Sequence, residues 1–552
     1  MDGEIEKFRN AVEKTVNDLQ RLKDKMIANG EGESASVDIL EAHQLIVQDR
    51  VLHHDVISRI QKEKISAIYA LNLTIQHYMT VFSSMNDPYL KERAEDVKDV
   101  GKRLLDHLQG VEHPDFDSWN EPVLLVAKDL TPSDAAMMDR KKVLGFSVEN
   151  GSKTCHSAIL ARSMKIPAVV GMQRLYNSLH DGDRMIIDGF QGIVVLHPEE
   201  ETLEFYRRKM RENEDIYRMW MKESHLAAET LDGSRIKIVA NMEGVFDHNE
   251  LFESGAEGIG LYRTEYLFLN SSMMPSEESQ YHVYRKLVKN MNGKPVTIRT
   301  QDIGGDKNAL FADNHEENPF LGMRAIRLCK DFPDIMKTQL RAILRASAHG
   351  NVKIMFPMVS SIEELDYLLD VLAQSKEELR QEQEKFDESV KVGIMVEIPS
   401  AALIAEDFAK KIDFFSIGTN DLVQYTLAVD RTNEHVAHLY RPSHPAVMRL
   451  INMVIRAGEK QGIPVCICGE MASDPMYIPV FVGMGATELS MNQASIVAAR
   501  KIIRRIRKSE VEKIADDITQ PQKNAEAIRS IREMLVKTVP DIMSIIQPQF
   551  NV

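Results

Sequence analysis

The sequence predicts a multidomain α/β protein: a helical bundle, a small α/β domain, and a C-terminal (β/α)8 TIM barrel. Three observations carry this. Apolar residues recur every three or four positions through roughly the first 115 residues. From about residue 121 the period shortens to β-rich runs. After residue 230, eight such runs alternate with helical patterns. At 552 residues, with 43% hydrophobic and 27% charged side chains, the chain is long enough for several cores and has an ordinary globular composition.

The bundle comes first, over 1–115. Ile5, Phe8, Val12, Val16, Leu19, Leu22 and Met26 lie on one helical face. Gly30-Glu-Gly32 breaks the pattern, which resumes through Val37, Leu40, Leu45 and Val47 and then runs as one long segment over about 56–82. Asp87-Pro88 reads as an N-cap with proline in the first turn of a further helix ending near Gly110. His43, His53 and His54 are expected at the surface.

The α/β domain spans 116–198, with strands expected at 122–127, 143–148, 168–170, 184–187 and 192–196. Asp188-Gly189 marks the turn joining the last two. Within this domain, Gly151-Ser-Lys-Thr-Cys-His156 leads into a short helical pattern. A helix start leaves N–H groups unpaired and favours negative charge, so a histidine there is placed to carry a phosphoryl group. A charge-rich helix over 199–229 links this domain to the barrel over 230–552.

Barrel strands are expected at 235–242, 258–265, 295–302, 352–359, 391–399, 414–421, 464–471 and 488–492. Such barrels place their chemistry at the C-terminal strand ends. Those ends carry Arg263 and Glu265, Arg299 and Asp302, Glu397, Asn420 and Asp421, then Cys468 and Glu470, with Lys307 and Arg431 in the loops. Guanidinium groups grip phosphate or carboxylate bidentately. Glu397 and Asp421 suit a hard cation such as Mg2+. Asn420 can hydrogen-bond an anion. Cys468, a weak acid of ordinary pKa about 8.5, can deliver a proton to carbon. Together these parts suit phosphoryl transfer from a small phosphorylated carboxylate, with His156 as the separate acceptor.

The totals exclude some classes. A net charge of −15 argues against a general nucleic-acid or anionic-membrane binder, and is compatible with a basic protein partner. Four cysteines, Cys155, Cys329, Cys466 and Cys468, make no disulfide framework and have no zinc spacing. Cys466 and Cys468 on one strand would face the same way. With no leader-like or membrane-length apolar run, the expected location is the cytoplasm, without membrane insertion.

The residues Thr154-Cys-His156-Ser-Ala-Ile-Leu-Ala-Arg, Gly258-Ile-Gly-Leu-Tyr-Arg-Thr-Glu265, Asp302-Ile-Gly-Gly-Asp-Lys307, Asn318-Pro-Phe-Leu-Gly-Met-Arg324, Gly418-Thr-Asn-Asp421 and Cys468-Gly-Glu-Met471 occur in this order. In them the chain resembles Enzyme I of the bacterial sugar phosphotransferase system, the phosphoenolpyruvate–protein phosphotransferases. The resemblance implies that His156 is phosphorylated. It implies that Arg263, Arg299, Asn420, Asp421 and Arg431 bind phosphoenolpyruvate, and that Glu397 and Asp421 hold Mg2+. It makes Cys468 the proton donor, has Thr131 orient the histidine, and gives Lys307 and Arg324 supporting places. It assigns the bundle to docking the phosphocarrier protein HPr, the α/β domain to a swivelling phosphohistidine domain, and the barrel to a homodimer.

Two departures stand out. The family usually has Gly-Gly-Arg-Thr-Ser before the histidine, where this chain has Ser152, Lys153 and Cys155. Lysine keeps the charge and loses the bidentate fork. Relatives also begin with a short β segment, whereas this chain opens in a helix, so the α/β sheet is expected to expose an edge. Met323 stands where relatives often carry an aromatic residue. Two alternative functions remain in view: an enzyme like pyruvate phosphate dikinase or phosphoenolpyruvate synthase, which shares the phosphohistidine domain and barrel, and a regulatory phosphoprotein without turnover.

Overall fold

The computed structural model describes residues 1–28, 43–84, 88–110, 121–128, 130, 138, 142–149, 166–244, 246–269, 274–304, 318–431, 433 and 435–546. His156, Thr131, Lys307, Lys153 and Cys155 lie outside the described residues. Two compact units divide near Met210 and Arg211.

The first unit opens with helices α1 (Asp2–Ala28), α2 (Arg50–Glu63), α3 (Ala67–Ser84) and α4 (Pro88–Gln109). Their apolar stripes meet in one core that includes Phe8, Leu19, Leu52, Val56, Ile60, Leu71, Val100 and Leu104. The long segment expected over 56–82 is two helices. Lys64 adopts a left-handed conformation at φ 55° and ends α2. The Ser66 hydroxyl then accepts the Tyr69 N–H at 3.3 Å and starts α3. Periodicity carried across the break because both helices bury the same face. His43 is likewise not a surface residue: it is 1% exposed. His53 is half-buried, with its Nε2 2.6 Å from the Val47 carbonyl, and only His54 is exposed.

The strands that follow are β1 (Val123–Ala127), β2 (Val143–Val148) and β3 (Ala168–Val170), paired in parallel in that order. Among the described residues β1 has β2 as its strand neighbour. The antiparallel hairpin β4 (Met185–Asp188) and β5 (Ile193–Leu196) pairs Asp188 with Ile193. The Asp188 carboxylate accepts the N–H groups of Phe190 and Gln191 and so shapes the turn. Helix α5 (Glu200–Lys222) is solvated, with Trp220 its buried residue.

The second unit contains a closed barrel of eight parallel strands. They are β6 (Lys237–Glu243), β7 (Ile259–Arg263), β8 (Val296–Arg299), β9 (Val352–Phe356), β10 (Lys391–Val396), β11 (Phe414–Ile417), β12 (Val465–Ile467) and β13 (Glu488–Met491). Seven of the expected runs contain their strands, which end earlier than expected, while β6 runs one residue past its expected end to Glu243. Val239, Leu261, Met355, Met395, Phe414, Cys466 and Cys468 form a buried cluster. The two cysteines, Cys466 on β12 and Cys468 just past its end, join the same cluster, and both are free thiols. Among the described residues, no helix is long and apolar enough to cross a membrane.

Candidate active site

The C-terminal rim of the barrel holds a chain of buried opposite charges. Arg299 closes β8 and is 7% exposed. Its Nη2 donates to Glu265 Oε1 at 2.8 Å, and its Nη1 lies 3.2 Å from Asp302 Oδ2. Arg324 grips the other side of Asp302 with Nε–Oδ1 2.7 Å and Nη2–Oδ2 2.8 Å, a bidentate pair. The same Nη2 is 2.9 Å from Asp421 Oδ2, while Nη1 donates to the Tyr425 hydroxyl at 3.2 Å. Burial alone would lower both arginines. Glu265 and Asp302 outweigh it at Arg299, and Asp302 does so at Arg324, so both are held above their ordinary values.

Local backbone puts Arg324 there. Gly304 has φ 109° and bridges to Arg324, and the Ala325 N–H donates to the Ile303 carbonyl at 2.9 Å. A Cβ at Gly304 would lie 2.0 Å from the Met323 carbonyl oxygen, so only glycine permits this approach. Ala325 itself sits at φ 50° and ψ −118°, a conformation that costs on the order of 1–3 kcal/mol in an L-residue. Behind this loop, helix α6 (Pro333–Ser347) supplies the fully buried Gln339. Its amide accepts the Gln301 N–H at 2.8 Å and donates to the Thr264 hydroxyl at 3.2 Å. Thr264 in turn donates to the Arg299 carbonyl at 3.0 Å.

Glu397, just past β10, is 1% exposed. Its Oε1 accepts the N–H of Met358, a residue at φ 57°, at 2.8 Å. Burial, then the charges of Asp421 and Asp302, push its carboxyl well up. Four carboxylates, Glu265, Asp302, Glu397 and Asp421, thus face two arginines. That excess of negative charge fits a divalent cation. Among the described residues no group of three or more His, Cys, Asp or Glu side chains forms a metal cage. A cation held by Glu397 and Asp421 would complete its shell with outside oxygens, as Mg2+ commonly does.

The remaining candidates edge this cluster. Cys468 is 2% exposed, and its thiol faces the Ile417 carbonyl at 3.4 Å. Burial pushes the thiol up to about 11, with the Ser416 hydroxyl opposing, so it is protonated at neutral pH. Glu397, Arg299 and Arg263 all act on it electrostatically. Asn420, at the start of helix α7 (Thr419–Leu427), donates to Glu470 Oε1 at 3.2 Å and accepts the Glu470 N–H at 3.0 Å. Arg431 lies 3.7 Å from Glu470 Oε1, and Arg263 lies 3.8 Å from Glu243 Oε2. Both pairs are long and solvated, so these two guanidinium groups are held weakly.

The strand-end candidates Arg299, Glu397, Asp421 and Cys468 therefore come together with Arg324, and Asn420, Arg263 and Arg431 stand at their margin. Sequence reasoning missed Tyr425 and Gln339. Tyr425 follows Asp421 by one helical turn on α7, a spacing that signals a shared face. Gln339 carried no such signal, since a glutamine within an amphipathic helix reads as solvated.

The descriptions "PEP-utilising enzyme, N-terminal", "PEP-utilising enzyme, mobile domain" and "PEP-utilising enzyme, PEP-binding domain" match residues 1–93, 119–192 and 218–508. The chain is 43% identical to the phosphoenolpyruvate-protein phosphotransferase of Priestia megaterium, over 96% of this chain and 93% of that one. It is 43% identical to that of Geobacillus stearothermophilus, over 94% and 89%. With that of Bacillus subtilis (strain 168) the identity is 41%, over 96% and 93%. With all three parts matched and the strand-end cluster in place, the chain belongs to the phosphoenolpyruvate–protein phosphotransferase family of PEP-utilising enzymes.

Proposed function

We propose that the barrel binds phosphoenolpyruvate at its C-terminal rim, passes the phosphoryl group to His156, and that His156 then passes it to HPr. The observation that carries this reading is the buried Arg299–Asp302–Arg324–Asp421 chain beside Glu397. It is an electrostatic bed for an anion, with carboxylates left over for a cation.

Arg263 and Arg431, weakly held at the rim, take the oxygens of the incoming substrate, and Arg299 and Asn420 fix its orientation. Asp421 faces both substrate and metal. Mg2+ held by Glu397 and Asp421 would neutralise charge on the substrate oxygens. The bond from phosphorus to the enol oxygen breaks as the bond to the His156 imidazole nitrogen forms. The enolate left behind takes the proton of the Cys468 thiol at carbon and becomes pyruvate, and the thiolate regains its proton from water. A thiol protonated at neutral pH suits that step. Thr131 orients the histidine ring, and Lys307 and Arg324 support the phosphoryl pocket. The helices α1 to α4 form the HPr-docking surface, and the barrel forms a homodimer.

The test is labelling by phosphoenolpyruvate carrying radioactive phosphorus, with and without Mg2+, in wild type and His156→Ala. Wild type is expected to take up label only with Mg2+ and to lose it to added HPr, while His156→Ala takes up none. Equal labelling of both proteins would sink the proposed acceptor.

A further inference from the structure

Cys468 is the first residue past the end of β12. Its N–H donates to the Ile417 carbonyl at 3.1 Å. Its own carbonyl accepts from Asn241 Nδ2 at 2.9 Å, across 227 positions of sequence. Asn241 belongs to β6, which pairs with β13 and β7 and not with β12. The amide therefore reaches over β13 to the loop behind it. On its other side, Asn241 Oδ1 accepts the Ser490 hydroxyl at 2.6 Å. A carbonyl can only accept, so the atom facing Cys468 must be the amide nitrogen. The amide oxygen then faces Ser490, whose hydroxyl must donate. The chain Ser490–Asn241–Cys468 has one consistent direction.

The barrel makes room for it. Between β6 and β7 the register shifts at Ala240 and Asn241, leaving Gly260 as the extra residue on β7. A Cβ on Gly260 would lie 2.5 Å from Ser490 Oγ and 2.4 Å from Val239 Cγ2. Ser490 is fully buried, with its hydroxyl directed to Asn241. Asn241 is half-buried, and the Ser490 bond satisfies the hydroxyl that burial would otherwise leave unpaired.

We propose that Asn241, oriented by Ser490, is a positioning residue for the thiol that protonates the enolate carbon. This inference rests on the reading of Cys468 as proton donor. With both sides of the Cys468 peptide held, the thiol has a fixed origin and needs only to rotate from the Ile417 carbonyl toward the substrate. Losing the Asn241 bond removes the hold on the Cys468 carbonyl, and a displacement of about 1 Å at a reacting atom costs up to about 100-fold.

The proton step can be watched without phosphoryl transfer. With Mg2+ and pyruvate in heavy water, the Cys468 thiolate removes a methyl proton, the enolate forms, and a deuteron returns through the same thiol. Proton NMR of the pyruvate methyl group follows the exchange, and calorimetry on the same variants carrying His156→Ala gives the phosphoenolpyruvate dissociation constant in parallel. Cys468→Ala tests the underlying reading, and undiminished exchange in that variant would overturn it and this inference with it. Given loss of exchange there, Asn241→Ala is expected to slow exchange about tenfold or more while phosphoenolpyruvate binding stays within about threefold. Exchange at the wild-type rate in Asn241→Ala would overturn the positioning role and leave the reading of Cys468 standing. If Asn241→Ala loses binding too, Ser490→Ala decides, since it removes one hydroxyl and keeps the amide. Slower exchange with binding kept supports the role, and any other result in Ser490→Ala overturns it.

Discussion

The buried arginines at opposite ends of the same barrel, two at one and one at the other, differ in what they bond to. At the C-terminal rim, Arg299 and Arg324 are shared among Glu265, Asp302 and Asp421 and are held above their ordinary pKa. At the N-terminal end, Arg500 is 2% exposed and donates to the carbonyls of Ser254 at 3.2 Å and Gly255 at 2.6 Å. Burial pulls Arg500 below its ordinary value, with Glu257 opposing. Lys294 behaves alike, donating to the Ala256 carbonyl at 2.6 Å over the Phe252 ring. Ser254 and Gly255 follow the helix His248–Glu253, whose last carbonyls lack intrahelical partners, so a cation bonded there serves as a cap. Carboxylates are charged and can exchange partners, so arginines among them can be re-shared when an anion and a metal arrive. Burial of an arginine is thus no sign of function by itself; its partners decide.

The largest expected effect tests that distinction at the rim. Arg324→Lys keeps the charge and loses the fork that spans Asp302 and Asp421, so phosphoenolpyruvate-dependent phosphorylation should fall about 100-fold or more. Steady-state kinetics with HPr would measure it, and a loss under about threefold would mean the fork is dispensable. Cys468→Ala comes next. Turnover should drop about 100-fold with phosphoenolpyruvate binding nearly unchanged, and a loss confined to binding would count against a role in proton delivery.

A smaller effect concerns Asp474, in the loop after Cys468. Burial pushes its carboxyl up to about 6, with the Met476 N–H opposing. Between about pH 4 and pH 6 the folded chain keeps this proton while the unfolded chain releases it, so stability falls as pH rises through that window. The loss is on the order of 2–3 kcal/mol and is complete above pH of about 6. Asp474→Asn keeps the acceptor and removes the titration. Its urea midpoint should exceed that of wild type more at pH of about 8 than at about 5, and equal gains at both would refute the assignment. Smallest is Arg500→Lys, which should cost about 1 kcal/mol in the same assay through one lost carbonyl bond, with phosphorylation unchanged.

Much of this was legible in the sequence. The strand rhythm located all eight barrel strands, and the strand-end rule brought Arg299, Glu397, Asp421 and Cys468 to one rim. Tertiary contacts hid the rest. Arg324 reaches Asp302 only because Gly304 and Ala325 take rare conformations, which no pattern of residue types announces. Asn241 and Gln339 act through hydrogen bonds to backbone groups distant in sequence, where one polar residue looks like another. The break at Lys64 was missed for a different reason: the serine cap at Ser66 was readable, but a continuous apolar stripe outweighed it.

The contrast between the two barrel ends is tested most directly by calorimetric titration of phosphoenolpyruvate with Mg2+ into Arg324→Lys and Arg500→Lys, each combined with His156→Ala so that no phosphoryl transfer adds to the heat. The same substitution at two buried arginines should give opposite results. Binding should weaken about 100-fold or more in the first and stay within about twofold in the second. Equal losses in both variants, or wild-type binding in Arg324→Lys, would contradict the assignment of the substrate site to the C-terminal rim.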